Sequence, residues 1–354
     1  MIHKDDVQLP LVSITITSFN TQQWIGKAIQ SALNQDYPNL EIIICDNCSS
    51  DNSDNIIKEF SSDSRVKYTR NEVNIGMNPN FEKVFFVLSS GEYIVNLSSD
   101  DHLLDPAFIS KAVSLTKEYK DIVLVFGKSQ SVHESTRKVT TLPIDAYYET
   151  PFRTGQEAFL DFATNPYFGW AGCFIRKSKL ISLGIHFSEN VCSDIEFNLK
   201  LMLHGNVGYI NSYVYSILVH ETNATRKILS GQQYIDSRLQ MFGIIIEIYT
   251  HIFGKDEAIQ KWKNIVLQRD ILNISILLLL RTSGDYKIFS HFVAREYPAL
   301  YKALHKNFKF LLVKNLVAPF LINKGVRDLA YNSYLFFKNA RGKLWSSSLR
   351  ASNG

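Results

Sequence analysis

Cysteine is scarce in this chain. Four cysteines occur in 354 residues. Cys45 and Cys48 form a C-x-x-C pair, which raises zinc and redox hypotheses, but Cys173 and Cys192 are not a second close pair. We therefore expect four unrelated reduced thiols.

Long hydrophobic runs are also lacking. The longest apolar stretch, from Ile274 to Leu280, is far shorter than the roughly 20 residues that a membrane-spanning helix needs. The N-terminus is polar, and no apolar stretch of signal-peptide length follows it. These absences predict a cytoplasmic protein that does not span the membrane. Hydrophobic residues still make up 45% of the sequence, which is enough for a sizeable core.

Positive charge is concentrated at the C-terminus. Ten lysines and arginines occur from Tyr301 to Gly354 against one acid, Asp328, so this segment carries +9. Because the whole chain carries +4, residues 1–300 carry −5. No recognised nucleic-acid-binding module accompanies the basic segment, so we do not expect nucleic acid as a partner.

Short β-rich runs alternate with amphipathic helical patterns in the first half of the chain. Such alternation predicts a mostly parallel sheet covered by helices on both faces. After Asp145 the alternation loosens, and from about Ser230 the pattern is almost entirely helical. The predicted strands are 12–17, 41–45, 66–68, 92–97, 122–126, 171–175, 207–210 and 213–219, and the predicted helices between them are 24–34, 51–60, 80–88, 155–163 and 194–203.

Polar and acidic residues follow the first four predicted strands. In open α/β sheets, ligands bind outside the carboxyl ends of the strands. An acidic residue after a strand is often only a helix cap, as we expect for Asp51 or Asp105 taken alone. Four such loops in succession predict one shared binding crevice. The loops begin after Thr17, Cys45, Tyr68 and Leu97.

Five short motifs occur in order over residues 10–225. They are Pro10 to Asn20, which ends in Thr-Ser-Phe-Asn; Gln35 to Glu41, with Tyr37 inside; Asp46 to Asp51; Asn74-Ile-Gly76 with Asn80; and Gly91 to Ile94. In this combination the sequence resembles the family 2 inverting glycosyltransferases of the GT-A fold. The resemblance implies a Rossmann-like mixed sheet flanked by helices, followed by a mainly helical C-terminal region.

The resemblance implies roles for individual residues. Asp46 would accept a hydrogen bond from the nucleotide base, and Asp100 would hold Mn²⁺ or Mg²⁺ against the donor diphosphate. Asp101 would support its loop or meet the donor sugar. The implied nucleotide-binding residues are Thr17, Ser18, Asn20, Asp46, Asn80, Ser99 and Asp100.

The sequence departs from the family pattern at two positions. The family's D-x-D metal motif begins here with Ser98, which removes one expected carboxylate. The segment from Asn190 is similar to the family's E-D helix start, and Asp194 is the implied general base that accepts the proton of the acceptor hydroxyl. Ser193 takes the place of the family's glutamate. The alternative is that Asp194 only caps its helix, although a cap residue can also be the base.

Three further residues match later family positions. His220 would complete the metal shell or contact the diphosphate, and Arg226 would contact the diphosphate, donor sugar or acceptor. Trp170 would meet the donor sugar or the acceptor. A structural histidine and a buried aromatic ring are the alternatives for His220 and Trp170.

We expect a catalytic domain over residues 1–228 and a basic, helical region over 229–354. Residues 308–322 and 331–344 mix aromatic and aliphatic side chains with lysines. A surface of this kind suits an anionic membrane, which would place the protein peripherally at the inner face of the cell membrane. Packing on the catalytic domain or in a homo-oligomer is the alternative.

These expectations combine into an inverting glycosyltransferase. It would move a sugar from a nucleotide-sugar donor, UDP being favoured, to a saccharide or lipid-linked acceptor in bacterial surface polysaccharide synthesis, such as capsule or lipopolysaccharide. A sugar-nucleotide pyrophosphorylase is disfavoured because no glycine-rich phosphate loop lies near the N-terminus. A catalytically silent nucleotide-sugar or glycan-binding module is the other alternative; Ser98 and Ser193 favour it, whereas Asp100 and Asp194 argue against it.

Overall fold

The computed structural model describes residues 9–141, 149–164, 171–190, 192–221, 223, 232–281, 283–307 and 310. The chain divides into two compact units. The first comprises Met1–Phe159, Tyr167–Glu189 and Ser193–Val219, and the second comprises Leu160–Pro166, Asn190–Cys192 and His220–Gly354.

A mixed sheet forms the centre of the first unit. Its strands are β1 (Val12–Ser18), β2 (Leu40–Asp46), β3 (Val66–Arg70), β4 (Tyr93–Ser98), β5 (His102–Leu103), β6 (Ile122–His133), β7 (Val139–Thr141), β8 (Phe152–Arg153), β9 (Cys173–Arg176) and β10 (Asn206–Val219). They lie in the order β3-β2-β1-β4-β9-β6-β10-β5, with β7 paired to β6 and β8 paired to β10. Strands β1 to β4 pair in parallel, and β9 runs antiparallel to both β4 and β6.

Three features of the sheet differ from the residue patterns. The sheet is mixed because β9 and the short strands β5, β7 and β8 run antiparallel to their partners, which strand–helix alternation alone does not reveal. The predicted strands 207–210 and 213–219 form one strand, β10, whose register against β6 shifts between Ile210 and Tyr213 and again before Tyr215. Strands β5, β7 and β8 were not predicted, because two or three residues are too few to show a period of two.

Helices flank this sheet in the chain order expected of an α/β fold. They are α1 (Ile25–Leu33), α2 (Ser53–Lys58), α3 (Met77–Glu82), α4 (Phe108–Glu118), α5 (Gly155–Asp161), α6 (Lys177–Leu183) and α7 (Ser193–Met202). Helix α1 buries Ile25, Ala28, Ile29 and Ala32, the stripe that its 3.6-residue period predicts. Helix α3 runs directly into a π-helical turn, Lys83–Leu88. Helices α4 and α6 were not predicted.

A buried carboxylate ties the amino ends of the parallel strands together. Glu41 Oε1 accepts hydrogen bonds from Ser13 Oγ at 2.5 Å and from Ser90 N at 2.6 Å, and Lys67 Nζ lies 2.6 Å from Oε2. Gly91 N donates to Ser13 Oγ at 2.8 Å. A Cβ atom at Gly91 would lie only 2.6 Å from Ser13 Oγ, so this close approach requires glycine.

The charge of Glu41 contributes to stability with a definite pH dependence. Burial raises the pKa of Glu41, but the hydrogen bonds from Lys67, Ser13 and Ser90 outweigh it and hold the pKa below the ordinary value of 4.5. A lowered folded-state pKa means that the carboxylate stabilises the fold above that ordinary value. The contribution is lost as the pH falls through the folded-state pKa.

We predict that Glu41→Gln lowers the free energy of unfolding at pH 7 by about 1–3 kcal/mol, because it weakens hydrogen bonds to a charged, buried acceptor. The difference from the wild type should shrink between pH 5 and pH 3 in urea titrations. Glu59→Gln, on the exposed end of the α2 segment, is the matched control and should change stability little. If the Glu41→Gln protein is as stable as the wild type at pH 7, the charge of Glu41 does not stabilise the fold.

The second unit is helical where it is described. Its helices are α8 (Gln232–Phe253), α9 (Glu257–Arg281), α10 (Ser283–Glu296) and α11 (Pro298–Lys306). Asp270, on α9, accepts hydrogen bonds from Arg238 at 2.5 and 2.9 Å and from Arg269 at 3.0 Å. Burial raises the pKa of Asp270, but the two guanidinium groups lower it overall, so the buried acid is charged and paired.

The membrane prediction falls mostly on residues outside the described part of the chain. Residues 308–309 and 311–354 hold most of the +9 segment, so membrane or subunit docking stays a prediction. Among the residues that the structure describes, no helix combines the length and the hydropathy needed to cross a membrane.

Candidate functional site

The carboxyl ends of four strands meet at one edge of the sheet. Ser18 at the end of β1 lies opposite Asp46 at the end of β2, and Asp46 lies opposite Arg70 at the end of β3. On the other side of β1, Thr17 lies opposite Ser98 of β4. The four polar loops of the sequence therefore leave the sheet side by side, as a shared crevice requires.

Asp46 is fully buried at the end of β2. Ser49 Oγ donates to Asp46 Oδ1, and Ser49 N donates to Oδ2 at 3.1 Å. Arg70 Nε lies 3.7 Å from Oδ2, and Arg70 Nη2 donates to Ser49 O at 2.8 Å. A carboxylate offers about four acceptor positions, so these contacts leave capacity for another donor. The predicted bond to a nucleotide base stays a prediction.

Hydrogen bonds join the loop after β1 to the loop after β2. Asn20 N donates to Ser49 Oγ at 2.8 Å, and Asn20 Oδ1 accepts from Ser50 N at 2.8 Å. Gln22 N donates to Asp51 Oδ2 at 3.0 Å. Asn20 adopts a positive φ of 54°, a conformation that asparagine tolerates better than most residues. The two loops therefore form one preorganised structure.

Asp51 acts as a structural link in these loops. Burial raises its pKa, but hydrogen bonds from Ser53 and from Gln22 N lower the pKa overall. Its Oδ1 accepts from Ser53 N at 3.0 Å and from Ser53 Oγ at 2.6 Å, so Asp51 fixes the turn immediately before α2, whose N-cap residue is Asn52.

A network of buried amides shapes the third loop. Asn47 Nδ2 donates to Asn74 Oδ1 at 2.9 Å and to Gly76 O at 3.1 Å, and Asn47 Oδ1 accepts from Ile75 N at 3.0 Å. Asn71 Nδ2 donates to Asn47 Oδ1 and to Asn80 Oδ1, each at 3.0 Å. Asn80 is 2% exposed. Its side chain shapes this loop, and its predicted place beside the nucleotide stays a prediction.

The fourth loop carries the implied metal motif. Asp101 is 7% exposed, and its Oδ1 accepts a hydrogen bond from Leu218 N at 2.9 Å, so it anchors the loop to β10. Ser98, which replaces the first carboxylate of the D-x-D motif, also donates to Asp101. Ser99 is buried and Asp100 is half-buried. Asp101 thus supports its loop, and its contact with a donor sugar stays a prediction.

A divalent cation held jointly by this loop and a diphosphate stays a prediction. Burial, and after it the charge of Asp100, raise the pKa of Asp101 well above its ordinary value. In the described parts of the chain, no three His, Cys, Asp or Glu side chains form a metal-binding group. A site of one or two carboxylates completed by substrate phosphates matches this donor set.

The implied base, Asp194, lies in the first turn of α7 and is half-buried. Its Oδ1 accepts a hydrogen bond from Ile195 N at 2.8 Å. The preceding residue, Ser193, donates through Oγ to Asn78 Oδ1 of α3 at 3.0 Å. The start of α7 is therefore one hydrogen bond away from the third loop of the crevice.

The other predicted residues are only partly described. His220 is the first residue of the second unit after Val219; it is 6% exposed, and its N donates to Asn223 Oδ1 at 2.6 Å. Trp170 and Arg226 lie outside the described residues. Of the predicted nucleotide-binding residues, Asn20 is exposed, Thr17 and Asp100 are half-buried, and Ser18, Asp46, Asn80 and Ser99 are buried.

Several residues at this edge were not among the predicted site residues. Phe19 follows β1 and keeps 47% of its surface exposed, between buried Ser18 and exposed Asn20. Trp24 Nε1 donates to Glu134 Oε1 at 3.0 Å, which ties the first loop to the end of β6. The buried amides Asn47 and Asn71 were also missed. The density of asparagines in the loop after β3 was the available signal for Asn71.

Residues 13–184 match the model described as "Glycosyl transferase family 2". These residues belong to this family. The match begins in β1 and ends just after α6, so it includes the four loops described above. The family prediction made from the motifs is confirmed.

Curated relatives align with the chain over about a third of its length. It is 38% identical over 121 residues to the "GalNAc(5)-diNAcBac-PP-undecaprenol beta-1,3-glucosyltransferase" of Campylobacter jejuni, an alignment that covers 34% of this chain and 38% of the relative. A glycosyltransferase of Haemophilus influenzae is 35% identical over 119 residues, which cover 33% of this chain and 36% of the relative. The chain thus spans little more than a third of the length of these relatives.

Solved structures match the fold over nearly the whole chain. The structure of S. aureus TarS 1–349 in complex with UDP-GlcNAc covers 97% of this chain and 92% of its own, with a TM-score of 0.59 and 17% identity. The mannosyltransferase PcManGT of Pyrobaculum calidifontis, in complex with GDP-Man and Mn²⁺, covers 92% and 88%, with a TM-score of 0.55 and 14% identity. The predicted mixed GT-A sheet with a helical C-terminal region is confirmed.

We predict that Asn47→Ala destabilises the third loop, because it leaves buried amide groups without partners, at a cost of about 1–3 kcal/mol. Hydrogen exchange at Ile75 N–H, which donates to Asn47, should accelerate together with that of its neighbours. Asn55→Ala is the control, because it removes an exposed hydrogen bond from Asn55 of α2 to the side chain of Asn52. This variant should leave hydrogen exchange in the third loop unchanged. Unaltered exchange at Ile75 in Asn47→Ala would contradict this role.

Proposed function

We propose that this chain transfers a sugar with inversion from a UDP-sugar to a saccharide or lipid-linked acceptor during the synthesis of a bacterial surface polysaccharide. The observation that carries the proposal is the meeting of Asp46, Asp100 and the start of α7 around one sheet edge. The registers of β1 with β2 and β4 bring the two loops together. The hydrogen bond from Ser193 to Asn78, which links the start of the helix with Asp194 to the segment after β3, supports the role proposed for Asp194.

Each part of this edge suits one task in the reaction. The preorganised loops after β1 and β2, with Asp46 at their base, suit recognition of a nucleoside. Asp100 would hold the cation that, when bound, neutralises the charge developing on the departing diphosphate. Asp194, half-buried in the first turn of α7, is the one carboxylate proposed to act on the acceptor.

In the transfer step, Asp194 accepts the proton of the acceptor hydroxyl while the hydroxyl oxygen bonds to the anomeric carbon. The bond between that carbon and the diphosphate oxygen breaks, and the nucleoside diphosphate leaves with the electron pair. The oxygen enters from the face opposite to the leaving group, so the configuration at the anomeric carbon is inverted.

The relatives support the choice of donor and acceptor class. UDP-GlcNAc is bound in the TarS structure that shares the fold. The Campylobacter jejuni relative is, by its name, a glucosyltransferase that acts on a sugar chain attached to undecaprenol through a diphosphate. A lipid-linked saccharide acceptor is accordingly our proposal for this chain.

A catalytically silent module that binds a nucleotide sugar is the second candidate. Ser98 and Ser193, which stand where the family has carboxylates, favour it. Asp100 and Asp194 are both retained in the implied site, and they favour the enzyme.

UDP should raise the melting temperature of the protein, because a ligand at 100 times its Kd stabilises the folded state by about 2.7 kcal/mol. UDP together with Mn²⁺ should raise it more than UDP alone, because Asp100 would hold the cation against the diphosphate. GDP, dTDP and CMP should have smaller effects. Asp100→Asn should lose the Mn²⁺-dependent part of the shift. Asp63→Asn, whose carboxylate bonds Arg65 ahead of β3, should keep it.

Two results of this thermal-shift experiment would count against the proposal. If none of the four nucleotides raises the melting temperature, the result would contradict a nucleotide-sugar donor. A Mn²⁺-dependent shift that Asp100→Asn retains in full would contradict Asp100 as the cation ligand.

Asp194→Asn should lower the hydrolysis of UDP-glucose or UDP-N-acetylglucosamine by about 10²–10⁴-fold, the usual contribution of general base catalysis. Its Kd for UDP, measured by calorimetry, should stay close to that of the wild type. Glu157→Gln is the control for a purely capping role, since Glu157 accepts from Thr154 N and Oγ1 at the start of α5. If both variants hydrolyse the donor at the wild-type rate, Asp194 is a cap and not the base.

A further inference from the structure

A polar contact joins the third loop region to the start of the helix that carries Asp194. Asn78, in the first turn of α3, donates from Nδ2 to Ser188 O at 2.6 Å. Its Oδ1 accepts from Ser193 Oγ at 3.0 Å. Both polar ends of the Asn78 amide are thus engaged by the segment that leads into Asp194, at positions six and one before it. Asn78 is half-buried, so these bonds are partly shielded from water.

The same two segments also pack through aromatic rings. Phe187 stacks on Phe197 of α7 with ring centroids 4.6 Å apart and on Phe81 of α3 at 5.3 Å. Phe85 of the π-helical turn meets the edges of Phe187 at 5.3 Å and of Phe197 at 6.0 Å. This packing keeps α3 and α7 in contact without any contribution from Asn78.

A second polar contact lies at the other end of α3. Glu82 Oε1 accepts from Phe187 N at 2.5 Å, and Oε2 lies 2.9 Å from His186 Nδ1. Glu82 therefore links the same two segments as Asn78 does, but through residues that lie seven and eight positions before Asp194. Asn78, in contrast, accepts a hydrogen bond from Ser193, the residue immediately before Asp194.

We propose that Asn78, through Ser193, is a positioning residue for the general base. The inference rests on the proposed function, because it assigns a partner to Asp194 as base. Ser193 stands where the family has a glutamate, and its hydroxyl holds the first turn of α7 against the crevice. A displacement of that turn would move Asp194 away from the acceptor oxygen without changing the loops that bind the nucleotide.

The nucleotide loops have their own support, which separates binding from catalysis. Asn47 and Asn71 hold the third loop through bonds that do not include Asn78. Loss of Asn78 or Ser193 should therefore lower kcat and leave the affinity for UDP in place. Misplacement of a reacting group by about 1 Å can lower the rate by up to about 10²-fold.

The test uses the full chain and measures release of UDP from UDP-glucose and UDP-N-acetylglucosamine. We expect Asn78→Ala and Ser193→Ala each to lower kcat about 10-fold, with the Kd for UDP within about 2-fold of the wild type. The kcat of the Asn78→Ala/Ser193→Ala double variant should also fall about 10-fold and not about 100-fold, because both side chains act on Asp194 through the bond between Ser193 and Asn78. Ser193→Thr keeps the hydroxyl and should restore most of the rate.

Glu82→Gln is the matched control. It weakens the other polar link between the same segments, so its melting temperature should fall about as much as that of Asn78→Ala. Its kcat should stay within about 2-fold of the wild type, since its partners are remote in sequence from Asp194.

Three results would overturn the inference. If Asn78→Ala and Ser193→Ala keep the wild-type kcat while Asp194→Asn is inactive, the bridge does not position the base, and the proposed function stands. If Asn78→Ala, Ser193→Ala and the control Glu82→Gln all lose kcat in step with their melting temperatures, the role of Asn78 is only structural. If the wild type releases no nucleoside diphosphate from UDP-glucose, UDP-N-acetylglucosamine or GDP-mannose, the proposed function fails, and the inference fails with it.

Discussion

Parallel pairing of β1 with β2 on one side and β4 on the other is the constraint on which the site depends. It sets Ser18, Asp46 and Ser98 at one edge of the sheet, although they are far apart in sequence. In β1, apolar Val12, Ile14 and Ile16 lie in the hydrophobic core and alternate with Ser13 and Thr15 on the other face, so a slip of one residue would exchange the two sets. The positions of the crevice loops are therefore a consequence of core packing.

The two ends of these strands have separate tasks. At the amino end, Glu41 holds Ser13, Lys67 and the turn at Ser90, and Tyr37 donates to Pro10 O at 2.7 Å. Motif residues there stabilise the fold. At the carboxyl end, the carboxylates lie among loops and face the crevice or support it. The motif resemblance alone does not separate these tasks, because both kinds of motif recur in the family for different physical reasons.

The sequence pattern predicts the crevice better than it predicts the details around it. Strands such as β2, with its run of isoleucines, are legible because they are buried throughout. The reversal of β9 and the short strands β5 and β8 depend on distant pairing partners, which no local pattern contains. Asn47, Asn71 and Asn78 were missed for a similar reason: a side-chain amide resembles a loop residue until its partners are known. The roles of the individual site residues follow from the family resemblance and stay predictions.

Hydrogen bonds between the loops after β1 and β2 have a consequence for how such a site can diversify. Asn20 and Gln22 of one loop bond Ser50 and Asp51 of the other, each through a backbone N–H or a side chain that the partner must match. Neither loop can accept an insertion without breaking contacts made by its neighbour. The two loops would have to be inherited, exchanged or redesigned as a pair, which leaves the third and fourth loops as the places where specificity can drift one substitution at a time.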